Sequence, residues 1–172
     1  MKLIRHVLGY VAGMLIFAFL IPYGVWAMGS LELPPFNTPL FPSSGAAAAL
    51  GILLFGAGLI FIIWSNVFLF FRGKGGPADI AGVAISPRTE KLVVDGPYNY
   101  TRNPMVFGAN AVYLAITIYL NSLGCLIVWS VLFVLVVIPV VRLEEKRLAS
   151  DFGDSYTRYK QRTSMIIPLP GK

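Results

Sequence analysis

Two polar segments of the chain carry residue types that are suited to holding a reactive cofactor. The first covers residues 96–104 (GPYNYTRNP), and the second contains the acidic pair Glu144-Glu145 followed by residues 152–156 (FGDSY). An apolar stretch lies between them, and a helical hairpin there would return both segments to one membrane face. Because carboxylates at the end of a membrane helix cost free energy, their presence indicates a function.

These residue types favour cofactor binding over covalent catalysis. The chain has one histidine, His6, and one cysteine, Cys125, which excludes an internal disulfide, a multi-cysteine metal site and a histidine-based metal cluster. No nucleophile–base pair is evident, so we predict no metal and no covalent intermediate. A sulfonium donor such as S-adenosylmethionine fits better, because carboxylates bind its amino and hydroxyl groups, an arginine binds its carboxylate and aromatic rings accept its sulfonium. Methyl transfer needs mainly positioning and exclusion of water.

The composition is that of a membrane protein. Hydrophobic residues make up 56% of the 172-residue chain and charged residues 13%, whereas a soluble domain has about 25% charged residues. We therefore predict a single membrane domain over residues 1–172. The net charge is +6, and all 14 lysine and arginine residues lie at the start of the first apolar run, in the loop between the second and third runs, or after the fourth run. This positive-inside pattern indicates topology and contact with the lipid bilayer rather than nucleic-acid binding.

Four apolar runs predict an all-α integral membrane protein with cytoplasmic N- and C-termini. The predicted transmembrane helices cover residues 3–28, 46–71, 105–120 and 123–141. The third run is short for a span of about 20 residues, so it depends on a tight turn at Asn121-Ser122. Residues 72–104 and 142–172 are then cytoplasmic and contribute the site. The first run is longer than the apolar core of a signal peptide, which favours a retained helix.

The C-terminal part is predicted to be helical with two interruptions. Pro139 should kink the fourth helix, since it removes a backbone hydrogen bond. Gly153 should stop the helix before a last short amphipathic one. Apolar and aromatic residues recur there at helical spacing: Leu148, Phe152, Tyr156 and Tyr159. This amphipathic tail should lie against the membrane or fold back over the 72–104 loop.

Taken together, the motifs resemble one superfamily. Residues 91–93 (KLV) precede the pattern Gly-Pro-Tyr-x-Tyr-x-Arg-Asn-Pro-Met, and Glu144-Glu145-x6-Phe-Gly-x2-Tyr-x2-Tyr follows, with Ile167-Pro168 beyond. Residues 72–168 thereby resemble the isoprenylcysteine carboxyl methyltransferase and phospholipid methyltransferase superfamily. The resemblance implies a membrane-embedded, S-adenosylmethionine-dependent methyltransferase whose acceptor is lipophilic, such as a lipid amine or a prenylcysteine-like carboxylate. It also implies a cytosolic cofactor pocket that the C-terminal segment covers and that the lipid enters from the bilayer.

The resemblance implies roles for individual residues. Those that would bind the cofactor are Glu90, Lys91, Leu92, Val93, Tyr98, Asn103, Pro104, Met105, Val106 and Glu144, with Glu145 supporting Glu144. Arg102 is the predicted catalytic residue, and Arg142 and Asn110 are predicted to bind the acceptor. Two positions depart from the isoprenylcysteine enzymes, which usually have a histidine in place of Asn103 and an arginine in place of Val140. Both departures weaken the prenylcysteine assignment more than the methyltransferase assignment.

Several alternatives stay open at this point. Glu144-Glu145 could be a solvated helix end, Arg102 a positive-inside anchor, Tyr98 and Tyr100 interfacial aromatic residues, and Asn110 an interhelical hydrogen-bonding residue. An NADPH-dependent membrane sterol or steroid reductase has a similar C-terminal tyrosine pattern, although two acids at the pocket would repel its phosphates. A non-catalytic membrane protein of the same fold would tolerate loss of Glu144 and Arg102.

Overall fold

The computed structural model describes residues 11, 15–74, 79–80, 83–84 and 89–170. In chain order, its elements are a π-helical segment Leu15–Leu20, α1 (Ile21–Gly29), α2 (Ser44–Gly73), β1 (Asp79–Ile80), β2 (Val83–Ala84), a 3-10 turn Gly96–Asn99, α3 (Pro104–Tyr119), α4 (Leu123–Leu132), a π-helical segment Phe133–Val137 and α5 (Ile138–Arg162). The predicted helical fold is confirmed, with one small exception. The two-residue strands β1 and β2 pair antiparallel, with Asp79 opposite Ala84.

Two of the four predicted spans are long and apolar enough to cross a membrane. They are α2 and the apolar part of the continuous helical stretch Leu123–Arg162. The predicted span 46–71 lies inside α2, which begins and ends two residues further out. The helices at Ala18–Gly29 and Pro104–Tyr119 are shorter, and residues 3–10 and 12–14 of the predicted first span lie outside the described residues. Crossing by all four helices therefore stays a prediction.

Close backbone contact joins α2 to α3. A Cβ atom added to Gly58 would lie 2.7 Å from the carbonyl oxygen of Gly108, and one added to Gly108 would lie 2.7 Å from the carbonyl oxygen of Gly58. One end of the same face has Gly51 beside the Ala115 carbonyl, at 3.0 Å from an added Cβ. Small residues allow two apolar helices to approach this closely, and the van der Waals contact holds them together in lipid.

The turn between α3 and α4 is tight, as predicted, and it closes one end of the helices. Asn121 takes a positive φ of 51°, and the Ser122 hydroxyl accepts a hydrogen bond from Cys125 N, which caps α4. The Asn121 side chain also accepts hydrogen bonds from the backbone N–H groups of Leu40 and Phe41, at 3.0 and 2.8 Å. The loop that follows α1 is therefore pinned to the turn.

The helical path after α4 is interrupted twice. The π-helical segment Phe133–Val137 ends two residues before Pro139, so the helix is irregular near the predicted position, where proline cannot donate a hydrogen bond to the preceding turn. The kink itself stays a prediction. Gly153 has φ 54° and ψ −129° inside α5. Residues 145 and 160 would be about 22 Å apart along a straight helix, yet Lys160 Nζ lies 3.3 Å from Glu145 Oε2. The chain therefore folds back at Gly153, and the predicted interruption there is confirmed.

Candidate active site

Gly153 divides α5 into a first arm before it and a folded-back second arm after it. A cavity of about 200 Å³ lies where the 89–106 segment meets α2 and both arms of α5. Its wall combines one face of the loop with the helical stretch on each side of Gly153. The lining residues are Leu69, Thr89, Lys91, Leu92, Val93, Tyr98, Arg102, Asn103, Pro104, Met105, Val106, Val140, Val141, Glu144, Arg147, Leu148, Phe152, Tyr156 and Tyr159. Apolar and aromatic side chains dominate this wall, with a few charged groups among them, as is usual for small-molecule sites.

Most residues predicted to bind a cofactor meet in this cavity. Those that line it are Lys91, Leu92, Val93, Tyr98, Asn103, Pro104, Met105, Val106 and Glu144, together with the predicted catalytic residue Arg102. The two polar segments of the sequence therefore come together, as the hairpin argument predicted. Their individual roles stay predictions, since proximity to a cavity does not by itself identify a ligand.

The structure places four predicted site residues outside the cavity wall. Glu90 is exposed, and its backbone N–H donates to the Gly73 carbonyl at 2.9 Å. Arg142 is exposed on α5. Asn110 accepts a hydrogen bond from Trp129 Nε1 at 2.8 Å, which is the interhelical interpretation left open above. Glu145 is buried beneath the wall, where it can support Glu144 only through packing and charge.

Arg102, a residue of the cavity wall, forms a buried ion pair with Glu145, which is not part of the wall. Arg102 Nε lies 2.7 Å from Glu145 Oε1, and their side chains are only 8% and 6% exposed. Lys160 Nζ approaches the other carboxylate oxygen at 3.3 Å. The pair joins the 98–103 loop, the first arm of α5 and its folded-back second arm. These contacts favour a positioning role for Arg102 over direct catalysis.

The same loop holds the last described residues of the chain, 163–170, which we call the C-terminal strap. Arg102 Nη1 donates to the carbonyls of Lys160, at 3.0 Å, and of Thr163. The Arg102 backbone N–H donates to the Ser164 carbonyl at 2.9 Å. Asn103 Nδ2 donates to the Met165 carbonyl at 2.8 Å. The Asn103 side-chain amide therefore helps to hold the C-terminal strap. A histidine at this position would offer its ring N–H groups in a different geometry.

Glu144 forms an ion pair on the cavity wall with Arg147, which the sequence analysis did not identify. Arg147 follows Glu144 by three residues, and this spacing brings side chains together on one helix face. The three-residue spacing from Glu144 is therefore the feature of the sequence that could have identified Arg147. Both side chains are part-buried, and both line the cavity. The wall therefore offers a carboxylate and a guanidinium to a ligand that carries charges of both signs.

Three tyrosines of the wall, Tyr98, Tyr156 and Tyr159, stay uncharged at neutral pH. Burial raises the pKa of Tyr98 and of Tyr159 well above the usual 10.0. Burial also raises the pKa of Tyr156, and the negative charge of Glu145 adds to this rise. The Tyr159 hydroxyl donates to the Tyr98 carbonyl at 2.5 Å. The amphipathic tail thus folds back over the loop, one of the two arrangements that its spacing predicted.

Comparison with known proteins identifies the family. No curated protein and no solved structure is significantly similar to the chain. Residues 46–155, well over half of the chain, match the family model of the phospholipid methyltransferases. The matched range runs from the start of α2 to just past Gly153, so it includes most of the cavity wall. The chain therefore belongs to the phospholipid methyltransferase family.

Proposed function

We propose that the protein transfers a methyl group from S-adenosylmethionine to a lipophilic acceptor at the surface of a membrane. The observation that carries this proposal is the meeting of Glu144 with residues 91–93, 98 and 103–106 around one cavity. Family membership supports methyl transfer as the reaction class. The two long apolar helices support a membrane location.

The chemistry of the wall fits this cofactor. Glu144 supplies a carboxylate for the amino group or the ribose hydroxyls, and Arg147 and Lys91 supply cations for the carboxylate. Leu92 and Val93 give an apolar surface for the adenine ring, and Tyr98 gives an aromatic face that tolerates a sulfonium. When bound, S-adenosylmethionine would supply an electrophilic methyl group that an acceptor lone pair takes up while the sulfonium becomes a neutral thioether.

The remaining residues act by positioning and by excluding water. The Arg102–Glu145 pair fixes the loop against α5, so that Glu144 and Tyr98 hold constant positions. Tyr156 and Tyr159 line the cavity from the folded-back arm, and Phe152 lines it from the end of the first arm. An in-line displacement gains most of its rate from such positioning and from a dry site. The acceptor class that we propose is a lipid amine or a prenylcysteine-like carboxylate, with the lipid reaching the site from the bilayer.

We further propose four membrane-crossing helices with the site facing the cytoplasm. The distribution of the 14 lysine and arginine residues supports this arrangement, because none lies in the two loops assigned to the other side. The fold-back of α5 and the C-terminal strap would then both lie on the basic, cytoplasmic face. The residues around Asn121 would lie on the opposite face.

Binding of S-adenosylhomocysteine to detergent-purified protein tests the proposed function. Calorimetry should show micromolar binding to wild type and a loss of about 10- to 100-fold in Glu144→Gln, since a charge-assisted hydrogen bond contributes about 1.5–3 kcal/mol. Asp151→Asn is the matched control, because Asp151 is an exposed acid of the same helix outside the cavity. Absence of binding to folded wild type would contradict the proposal. A rise in melting temperature with NADPH instead would support a reductase.

A further inference from the structure

The C-terminal strap is an uncharged segment that leaves apolar side chains exposed. Its residues, 163–170 (TSMIIPLP), include no acid and no base. Ile166 is buried, whereas Ile167 and Leu169 are 66% and 54% exposed. Tyr100, on the loop that holds the strap, is 41% exposed. An exposed apolar patch of this kind is typical of a surface that contacts a partner or a membrane.

Several polar groups of the strap bond to that loop. The Leu169 N–H donates to the Tyr100 carbonyl at 3.0 Å, and the Ser164 hydroxyl donates to the same carbonyl at 3.1 Å. The Met165 carbonyl accepts from the Thr101 hydroxyl at 3.2 Å. Irregular backbone enters a membrane environment only where such groups are paired. These hydrogen bonds therefore lower the free-energy cost of moving the strap out of water.

The position of α2 places the strap at the depth of a membrane interface. Trp64 follows Ser44, the first residue of α2, by 20 residues, which is about 30 Å of helix. The hydrocarbon core of a bilayer is also about 30 Å thick, so a membrane-spanning α2 with Ser44 at one edge has Trp64 at the other. The Trp64 and Tyr100 ring centroids are 6.2 Å apart, and tryptophan and tyrosine are enriched at this depth.

The fold-back of α5 leads to the same depth independently. The apolar run that continues into α5 ends at Val141, and Glu145 follows it by four residues, or about 6 Å of helix. Lys160 Nζ lies 3.3 Å from the Glu145 carboxylate, so the second arm returns toward the membrane end of the first. The strap begins three residues after Lys160 and therefore lies near this level as well.

We propose that the C-terminal strap docks on the bilayer that α2 crosses, with Ile167 and Leu169 inserted in its interfacial layer. Lipid is the occupant that fits this patch, because the patch continues through Tyr100 and Trp64 onto the exposed apolar side of α2. An uncharged segment with paired backbone groups and outward apolar side chains gains free energy in that layer.

Charge and connectivity support the same occupant. Arg158 and Arg162 are exposed on the second arm just before the strap, and a membrane surface that contains anionic lipids attracts such cations. The strap is also bonded to Arg102 and Asn103 of the cavity wall. Docking would therefore steady one side of the cavity, whichever ligand the cavity binds.

Fluorescence quenching in lipid nanodiscs tests the docking. Ile167→Cys and Leu169→Cys are each labelled with bimane, and Ser155→Cys, an exposed position beside Gly153, is the control. The native Cys125 is buried and does not compete for the label. A nitroxide-bearing lipid should quench the labels on the strap at least about twofold more than the control label. Iodide in the water should show the reverse order.

Two results would overturn the proposal. Iodide quenching as strong on the strap as at the control position would place the strap in water. Protection of the strap from both quenchers, seen only in discs that hold two copies of the chain, would assign the patch to a second copy instead.

Trypsin cleavage after Arg162 gives a measurement without a label. In nanodiscs, Ile167→Asp should be cleaved at this bond about tenfold faster than wild type, because the added charge opposes insertion and frees the strap. Ser155→Asp carries the same added charge and should be cleaved like wild type. Equal rates for the two variants would contradict the docking. Neither measurement uses a ligand of the cavity, so its outcome is separate from that of the proposed function.

Discussion

Arg102 Nε and Glu145 Oε1 are 2.7 Å apart in a buried ion pair that connects the loop before α3 with the helix that carries Glu144. The pair is adjacent in sequence to two residues of the cavity wall, Asn103 and Glu144. It therefore fixes the separation of the two wall segments. Its loss should change both the stability of the fold and the geometry of the site.

Replacing Arg102 with glutamine should lower the free energy of unfolding by about 3–5 kcal/mol, because it leaves the Glu145 carboxylate buried without its main partner. It also removes the hydrogen bonds to the Lys160 and Thr163 carbonyls. Thermal melting in detergent measures the effect. Arg142→Gln removes an exposed arginine and should melt like wild type. A normal melting temperature together with lost S-adenosylhomocysteine binding would instead indicate that Arg102 binds the ligand directly.

Substitution at the Gly58–Gly108 contact should separate α2 from α3. A Cβ atom at Gly58 would lie 2.7 Å from a backbone oxygen that cannot rotate away, so Gly58→Ala should lower stability by about 1–3 kcal/mol. Gly56→Ala is the matched control, because a Cβ there would meet nothing within 4 Å beyond the nearby backbone of its own helix, and alanine favours the helix. Similar melting temperatures for the two variants would contradict the packing seen here.

Residue spacing within short segments predicted much of the site, because the residues that form each motif are close together in the sequence. The spacing of Leu148, Phe152, Tyr156 and Tyr159 indicated one helix face, and Gly153 indicated the interruption. What the pattern left open was the direction in which the tail folds, because that depends on contacts between residues far apart in sequence. The ion pair of Glu145 with Arg102 and the approach of Lys160 are such contacts.

The resemblance implied that Glu144 rather than Glu145 faces the cofactor, but helix spacing alone did not distinguish the two acids. Glu144 and Glu145 differ by about 100° around a helix axis, and both lie beside basic residues in the sequence. Only the packing of α5 against the loop turns Glu144 toward the cavity and buries Glu145 behind it. The hydrogen-bond partner of Asn110 could not be predicted either, because Trp129 lies on a different helix. Sequence spacing within one helix cannot report such partners.

The Asn121 turn gives a prediction far from the site. Asn121→Ala should lower the melting temperature for two reasons, loss of the hydrogen bonds to Leu40 and Phe41 and strain at a φ of 51°. Asn121→Gly loses the same hydrogen bonds but accepts the backbone conformation, so it should be more stable than Asn121→Ala by about 1 kcal/mol. S-adenosylhomocysteine binding by both folded variants should match wild type. Equal stability of the two variants would argue against the left-handed turn.

The buried tyrosines predict a loss of stability at alkaline pH. Burial raises the pKa of Tyr98 in the folded chain above its usual 10.0. Below pH 10 the phenol is protonated in both the folded and unfolded chains, so the full stability is present. Above that pH the unfolded chain releases its proton first, and the free energy of unfolding falls by about 1.4 kcal/mol per pH unit for each such tyrosine.

Melting temperatures of wild type and Tyr98→Phe, measured from about pH 8 to about pH 11.5, test this sign. Lysines and the other tyrosines titrate in both proteins, so their contributions cancel in the difference between the two curves. Wild type should lose stability more steeply than Tyr98→Phe above pH 10, because phenylalanine has no proton to release. Tyr119→Phe, which changes an exposed tyrosine at the end of α3, should follow the wild-type curve. Parallel curves for wild type and Tyr98→Phe would show that the Tyr98 hydroxyl is hydrated rather than enclosed by the folded-back arm of α5.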